Sequence, residues 1–263
     1  MNKPPQQNKK YWTGDLTIGL GWVYYEGPLG QTELHSHYAL QLCFPLSTPL
    51  QIETPDKDLT TRKPFAIGPS VKHRLTGTST ARLLYLDPNM TSEECSRLNI
   101  EGIESLSINA TIVDILDRRL RASAAHLPDK FIREALSLIW PAFASAPRKS
   151  IDARISRTLA KLSEADDLNL SLTQLLKGSG LSESRFRHLF RDQVGLSVKN
   201  FLLWSKVQRA IQLLTDAPSL THAAHGAGFA DSAHLSRTFK RTFGLTPSDI
   251  FKNAHFTDKK TGI

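Results

Sequence analysis

Two stretches of the chain repeat one pattern of apolar and polar positions. SLTQLLKGSGL at 171–181 aligns with SLTHAAHGAGF at 219–229, and SESRFRHLFRDQVGLS at 182–197 aligns with DSAHLSRTFKRTFGLT at 231–246. Each copy predicts a short helix, a glycine-bearing turn and a second helix opened by Ser182 or Asp231, whose side-chain oxygens can accept from the first free amides of a helix. This is helix-turn-helix grammar. At about 100° per residue, the second helix of the first copy carries Ser184, Arg187, His188 and Arg191 on one face and Phe186, Leu189 and Phe190 on the other. The second copy sets Ala233, Ser236, Arg237 and Lys240 against Leu235, Thr238 and Phe239. One such basic stripe is what any solvated surface helix shows. The duplication, with short hydrogen-bonding residues near the start of each helix, points instead to two DNA recognition helices.

Between the copies, 198–215 reads as one helix with Val198, Phe201, Leu202, Ala210, Ile211 and Leu214 apolar, and Pro218 lies just beyond it. At 1.5 Å per residue it spans about 27 Å, close to the roughly 34 Å between successive major-groove windows on one face of B-DNA. Both second helices are therefore expected to enter adjacent major grooves.

The earlier part of the chain has another rhythm. Up to Met90 it is rich in Thr, Pro and Gly, with short apolar runs at 39–46, 64–67 and 81–86, a pattern of short strands and turns that predicts a small β-barrel. From 108 to 146 the spacing becomes helical: Ile108, Ile112, Ile115, Leu116 and Leu120 form one stripe, and Phe131, Ala135, Leu138 and Ile139 a second, ended near Pro141. The expected fold class is α+β. An N-terminal small β-barrel with helices occupies 1–146, a linker 147–150, and an all-α double helix-turn-helix domain 151–263.

Composition adds three points. The chain of 263 residues has a net charge of +8, and the excess of Lys and Arg is concentrated after position 150, as a polyanionic partner requires. No apolar run approaches the length of a membrane span, and 1–10 lacks the apolar core of a secretory signal, so a cytoplasmic location is expected. Cys43 and Cys95 have no paired spacing with other cysteines or with His, and reduced thiols are expected.

The segment GAGFADSAHLSRTFKRTFGLTPSDIF at 226–251 resembles the signature of the AraC/XylS-type transcriptional regulators. The resemblance covers 151–251, through Gly228, Phe229, Phe239, Lys240, Phe243, Gly244 and Pro247 in the second unit and Ser182, Phe190, Gly195, Ala210, Leu213 and Leu214 in and after the first. It implies base contacts by Ser184, Arg187, His188, Ser232, Ser236 and Arg237, and phosphate contacts by Arg191, Lys240 and Arg241. It also implies double-stranded DNA and a small-molecule effector as partners, with RNA polymerase and a second copy of the chain as further candidates. The two helical stripes look like the dimerisation helices of the family, or else cap the barrel. The chain departs from the family pattern at Leu176, Lys206 and Ala223, which bears on helix packing.

His35-Ser36-His37 with Gln41, and Pro69-Ser70-Val71-Lys72-His73, resemble the two motifs of the cupin barrel. Metal-binding cupins bring three His and one Glu together, and here Gln41 stands at the Glu position. An amide supplies no charge and ligates a divalent ion poorly, so His35, His37, Gln41 and His73 are expected to be a degraded metal site or part of an effector site, with no metal or other cofactor. Trp12, Trp22, Tyr24 and Tyr25 are candidates for a cavity lining as well as for core. A cupin enzyme joined to a DNA module would need an intact ligand set, and no catalytic triad, phosphate-binding glycine loop or nucleophilic cysteine pattern is present. The expected protein is not an enzyme. A DNA-binding protein that answers to a partner protein rather than to a small molecule is the remaining alternative.

Overall fold

The computed structural model describes residues 12–19, 22–30, 32–76, 80–87, 100, 102–108, 110–122, 151–163, 165, 167–216 and 219–256. Nine short strands come first: β1 (Asp15–Gly19), β2 (Trp22–Pro28), β3 (Leu40–Pro45), β4 (Leu50–Glu53), β5 (Asp58–Thr61), β6 (Phe65–Ile67), β7 (Arg74–Thr76), β8 (Thr80–Leu86) and β9 (Ile103–Ser105). Helix α1 (Ala110–Ala122) follows. The helical part comprises α2 (Ala153–Ser163), α3 (Leu172–Leu176), α4 (Glu183–Val194), α5 (Val198–Asp216), α6 (Leu220–Gly226), α7 (Ser232–Phe243) and α8 (Pro247–Phe251). A two-residue strand, β10 (His255–Phe256), ends the described chain.

The α+β class is as expected, but the strands do not close into a barrel. They form a seven-stranded sheet in the order β10-β1-β2-β8-β3-β6-β9 and a three-stranded sheet in the order β5-β4-β7, and an isolated bridge outside these strands joins His35 to His73. The short runs foretold strands. Closure depends on pairings far apart in sequence, which runs do not encode.

Alternation along the strands buries both faces of the large sheet. Trp22, Tyr24, Leu40, Leu42, Leu84 and Leu86 face one core, completed by Val113 and Leu116 of α1. Tyr25, Cys43 and Leu83 face the other, which they share with Leu50, Ile52 and Leu75 of the small sheet. The first helical stripe is thus not a free dimerisation surface: Leu116 is 4% exposed and packs on the sheet. The second stripe, Phe131 to Ile139, and the linker 147–150 lie outside the described residues.

The two helix-turn-helix units have separate cores. Ile155, Leu175, Phe186, Phe190 and Phe201 enclose the first, with the Phe190 and Phe201 rings edge to face at 5.4 Å. The second, through Val207, Ile211, Ala223, Leu235 and Phe239, merges with the inner core of the N-terminal sheets. Strand β10 then pairs in parallel with β1, Asp15 opposite His255, so the last described residues complete the edge of the first sheet.

Candidate functional site

The recognition helices are built by local chemistry. Ser182 Oγ accepts from the Arg185 amide at 3.3 Å to open α4, and Asp231 Oδ1 accepts from the His234 amide at 2.6 Å to open α7. The backbone donation holds the Asp231 carboxyl below the usual carboxylate range. Both helices end on a glycine in the left-handed region, Gly195 at φ 78° and Gly244 at φ 72°. A side chain there is strained, which is why glycine follows helices at this point. Helix α5, 19 residues long, carries the chain about 28 Å between the units.

On α4, Ser184, Arg187, His188 and Arg191 are all exposed, as a groove-facing stripe must be. Arg187 is held by Glu183 one turn back, Nη2 to Oε1 at 2.7 Å. On α7, Arg237, Lys240 and Arg241 are exposed, whereas Ser232 and Ser236 are half-buried. Lys240 is committed elsewhere: its Nζ lies 2.6 Å from the Glu33 carboxylate of the N-terminal domain. Nothing in the sequence pointed to that pairing, because the partners are far apart along the chain. Lys206 bonds the Asn169 side chain at 2.6 Å and the Gly228 carbonyl at 2.9 Å, fastening the turn of the second unit to the segment before the first. Ala223 is fully buried and Leu176 half-buried, so both fit their helix contacts.

Three further links join the second unit to the N-terminal domain. The Glu33 amide donates to the Gly244 carbonyl at 2.8 Å. Trp204 Nε1 donates to Asp87 Oδ1 at 3.0 Å, and Gln208 donates to the other oxygen of the same carboxylate. A Cβ on Gly244 would stand 2.4 Å from the Glu33 carbonyl oxygen and 2.6 Å from His35 Nδ1, so only glycine allows this approach. At this seam lies a cavity of about 90 Å³, room for several waters or a small organic molecule at ~10–15 Å³ per water. Its walls include Trp12, Trp22 and Tyr25 from one side and Trp204, Phe239 and Phe243 from the other. Tyr24, also a candidate, faces the opposite core and donates to Asp117 on α1 at 2.6 Å.

The cupin-like motifs converge as expected. Ring nitrogens of His35, His37 and His73 lie within 4.8 Å of one another. Each Nδ1 sits 2.8–3.0 Å from a backbone carbonyl, of Glu33, Ala39 and Val71 respectively. Carbonyls only accept, so each Nδ1 carries the ring hydrogen and each Nε2 is left as an acceptor. Burial pushes His35 down to about 4 and lowers His37 and His73 as well, so all three are neutral at pH 7. The Gln41 amide lies 2.9 Å from His37 Nε2 and 3.1 Å from His73 Nε2. Its two N–H groups match these two lone pairs, and its carbonyl then faces Cys43 Sγ, 3.4 Å from the other end of the amide. The amide thus ties His37 to His73 and fills the place of the anionic ligand. Three neutral imidazoles and an amide lack the anionic ligand of a cupin-type metal centre.

Comparison with known proteins agrees with the helical half. Residues 175–253 match the helix-turn-helix domain family. The chain is 22% identical over 164 residues, 62% of its length, to the transcriptional activator RhaR of Mannheimia succiniciproducens, and covers 59% of that protein. It is 35% identical over 88 residues, 32% of its length, to the arabinose operon regulatory protein of Escherichia coli, and covers 29% of it. The chain thus spans less than two thirds of either relative. Among solved structures, ToxT from Vibrio cholerae bound to (E)-4-(8-methylnaphthalen-1-yl)but-3-enoic acid superposes with a TM-score of 0.61 at 9% identity, over 89% of this chain and 99% of ToxT. An unsaturated fatty acid bound form of ToxT gives 0.56 at 11% identity, over 88% and 95%. At such identities the likeness shows a shared fold, strands before helices. Among the described residues no helix is long and apolar enough to cross a membrane. The chain carries a helix-turn-helix domain of the AraC type, the DNA-binding module of a family of transcriptional regulators.

Proposed function

We propose that this protein is a sequence-specific, cytoplasmic transcriptional regulator that grips double-stranded DNA with α4 and α7 in adjacent major grooves and answers to a small molecule in the seam cavity. The observation that carries this reading is the twice-built helix-turn-helix unit, each recognition helix capped by a side-chain oxygen and presenting exposed arginine at a matched position. Ser184, Arg187, His188, Ser232, Ser236 and Arg237 read bases, and Arg191, Lys240 and Arg241 hold phosphates. A guanidinium in the major groove donates two hydrogen bonds to guanine O6 and N7, so it conveys sequence as well as charge. RNA polymerase and a second copy of the chain are the further partners in this reading.

The effector part rests on the position of the cavity. A ligand there touches sheet residues and the second unit together, so it binds docked and undocked arrangements unequally and shifts the balance between them. Lys240 joins the two functions, because it cannot bond Glu33 and a phosphate at once. ToxT structures contain small organic acids, which lends weight to a ligand-responsive domain in this fold. The test is selection of genomic fragments with purified full-length protein, followed by competition binding at fixed salt. Selected fragments should bind at least about a thousandfold more tightly than random DNA; equal affinity for both would end the proposal.

The histidine cluster has a structural rather than catalytic part here. The purified protein should hold far less than one iron, manganese or zinc per chain after dialysis against a mild chelator. A stoichiometric ion would favour a cupin enzyme carrying a DNA module.

A further inference from the structure

The first recognition helix carries an acid beside the arginine that is to read a base. Glu183 stands in the first turn of α4, where the helix dipole favours a carboxylate, yet it opposes the phosphates that this face would approach. Arg187 donates to it twice, from Nε at 2.9 Å and from Nη2 at 2.7 Å, and both bonds end on the same oxygen, Oε1. The two side chains are 56% and 61% exposed, so packing does not account for the pair.

The shape of the guanidinium decides what this leaves. It holds five N–H donors in one plane. The two taken by Glu183 lie along one side, and the parallel pair at the far end, one N–H on each Nη, stays free. Two parallel donors are what O6 and N7 of guanine accept. Held in this way Arg187 keeps its reading end and loses its freedom, whereas an unbraced arginine explores many rotamers and reaches other base edges and phosphates. The second unit has no counterpart, because Ser232 aligns with Glu183 and has no charge with which to hold an arginine.

We infer that Glu183 is a positioning residue for sequence reading: through its bonds to Arg187 it aims the guanidinium at one guanine and withholds it from other bases. This rests on the reading of Arg187 as a base contact.

The test is competition binding of full-length protein at fixed salt to the selected operator and to versions with each base pair substituted. The quantity read is the preference for guanine over each other base at the pair that Arg187→Ala identifies. It is compared for the unaltered chain, Glu183→Ala, Arg187→Ala and the double variant; alanine removes the acceptor and suits a helix. Glu183→Ala should lower this preference about fivefold, the upper scale for an exposed pair, because substituted operators gain affinity while the operator itself changes little. The lost negative charge strengthens binding to every sequence alike and cancels in the ratio. Preference at the pair read by Arg237 should stay as it was. With Arg187→Ala in place, adding Glu183→Ala should change nothing at the first pair. A preference unmoved by Glu183→Ala, or one that moves as much without Arg187, overturns the positioning role and leaves Arg187 a reader. If Arg187→Ala singles out no base pair, the reading of Arg187 falls and the positioning role falls with it.

Discussion

The two helix-turn-helix units share a plan and differ in company. In the first, α4 packs on a core of its own, reached from the N-terminal domain by Tyr38, and its C-cap Gly195 faces open space. In the second, α7 belongs to the same core as the sheets, its C-cap Gly244 lies against Glu33 and His35, and its Lys240 is paired across the seam. Matching caps and exposed arginines suit both helices to the DNA reading proposed for them. Unequal burial makes only the second one answerable to the N-terminal domain.

The largest effect that would break this contrast is expected at the two glycines. Gly195→Ala should cost about 1–2 kcal/mol, the strain of a left-handed non-glycine residue. Gly244→Ala should add roughly 1–3 kcal/mol of overpacking, because its Cβ meets backbone. Thermal unfolding measures the totals, and hydrogen exchange at the Glu33 amide, which donates to Gly244, reports whether the seam has opened. Equal losses at the two positions, with Glu33 still protected, would show the seam to be incidental.

Acid should also act on the second unit first. The pKa of His35 is lowered in the fold to about 4 by burial, so its contribution is complete above the unfolded value of about 6.5 and is lost as pH falls through that window. Full loss is worth about 3 kcal/mol. His37 and His73 are lowered too and act in the same direction. The thermal midpoint should fall between pH 6.5 and about 4, with Glu33 exchange rising before amides of α4 do, and His35→Gln should flatten the curve. A midpoint indifferent to pH in this range would contradict the neutral cluster.

Base reading should be symmetric where the seam is not. Arg187→Ala and Arg237→Ala are each expected to lose about 1–3 kcal/mol at the selected operator, relaxing preference at positions roughly 10 base pairs apart. Lys240→Ala should weaken all sequences alike and make the salt dependence shallower by about one unit. Competition binding with operator variants measures both, and equal loss on operator and random DNA for the arginine variants would deny them a reading part.

The smallest effect sharpens the comparison most. Glu33→Gln and Glu183→Gln each free a cation, Lys240 and Arg187, from an exposed pair, a change worth less than about 1 kcal/mol. Both should raise DNA affinity slightly. Only Glu33→Gln should reduce the response to a cavity ligand, and an equal response in the two variants would sever Lys240 from signalling.

What the sequence disclosed follows from the range of the chemistry. Ser182, Asp231, Gly195 and Gly244 act on neighbours within one helical turn, so the double unit was legible in full. The His35, His37, Gln41 and His73 cluster was legible only through the resemblance to the cupin motifs, since His73 lies 32 residues beyond Gln41. Sheet closure was not, since ladders such as β2 with β8 and β1 with β10 join distant segments. The stripe with Leu116 read equally as a dimer surface or a cap, because apolarity names a buried face and not its partner. Lys240 with Glu33 and Asp87 with Trp204 depend on how two domains meet, which no local pattern records.

The pairing of β10 with β1 has a consequence for synthesis. Strand β1 finds its parallel neighbour only about 240 residues further along the chain, so this edge of the large sheet stays bare until both helix-turn-helix units have been made. An exposed edge is a template for wrong partners, and long-range pairing forms late. The nascent N-terminal sheet is therefore at its most aggregation-prone while it waits, and β10 acts as a latch that shuts only once the helix-turn-helix units have emerged.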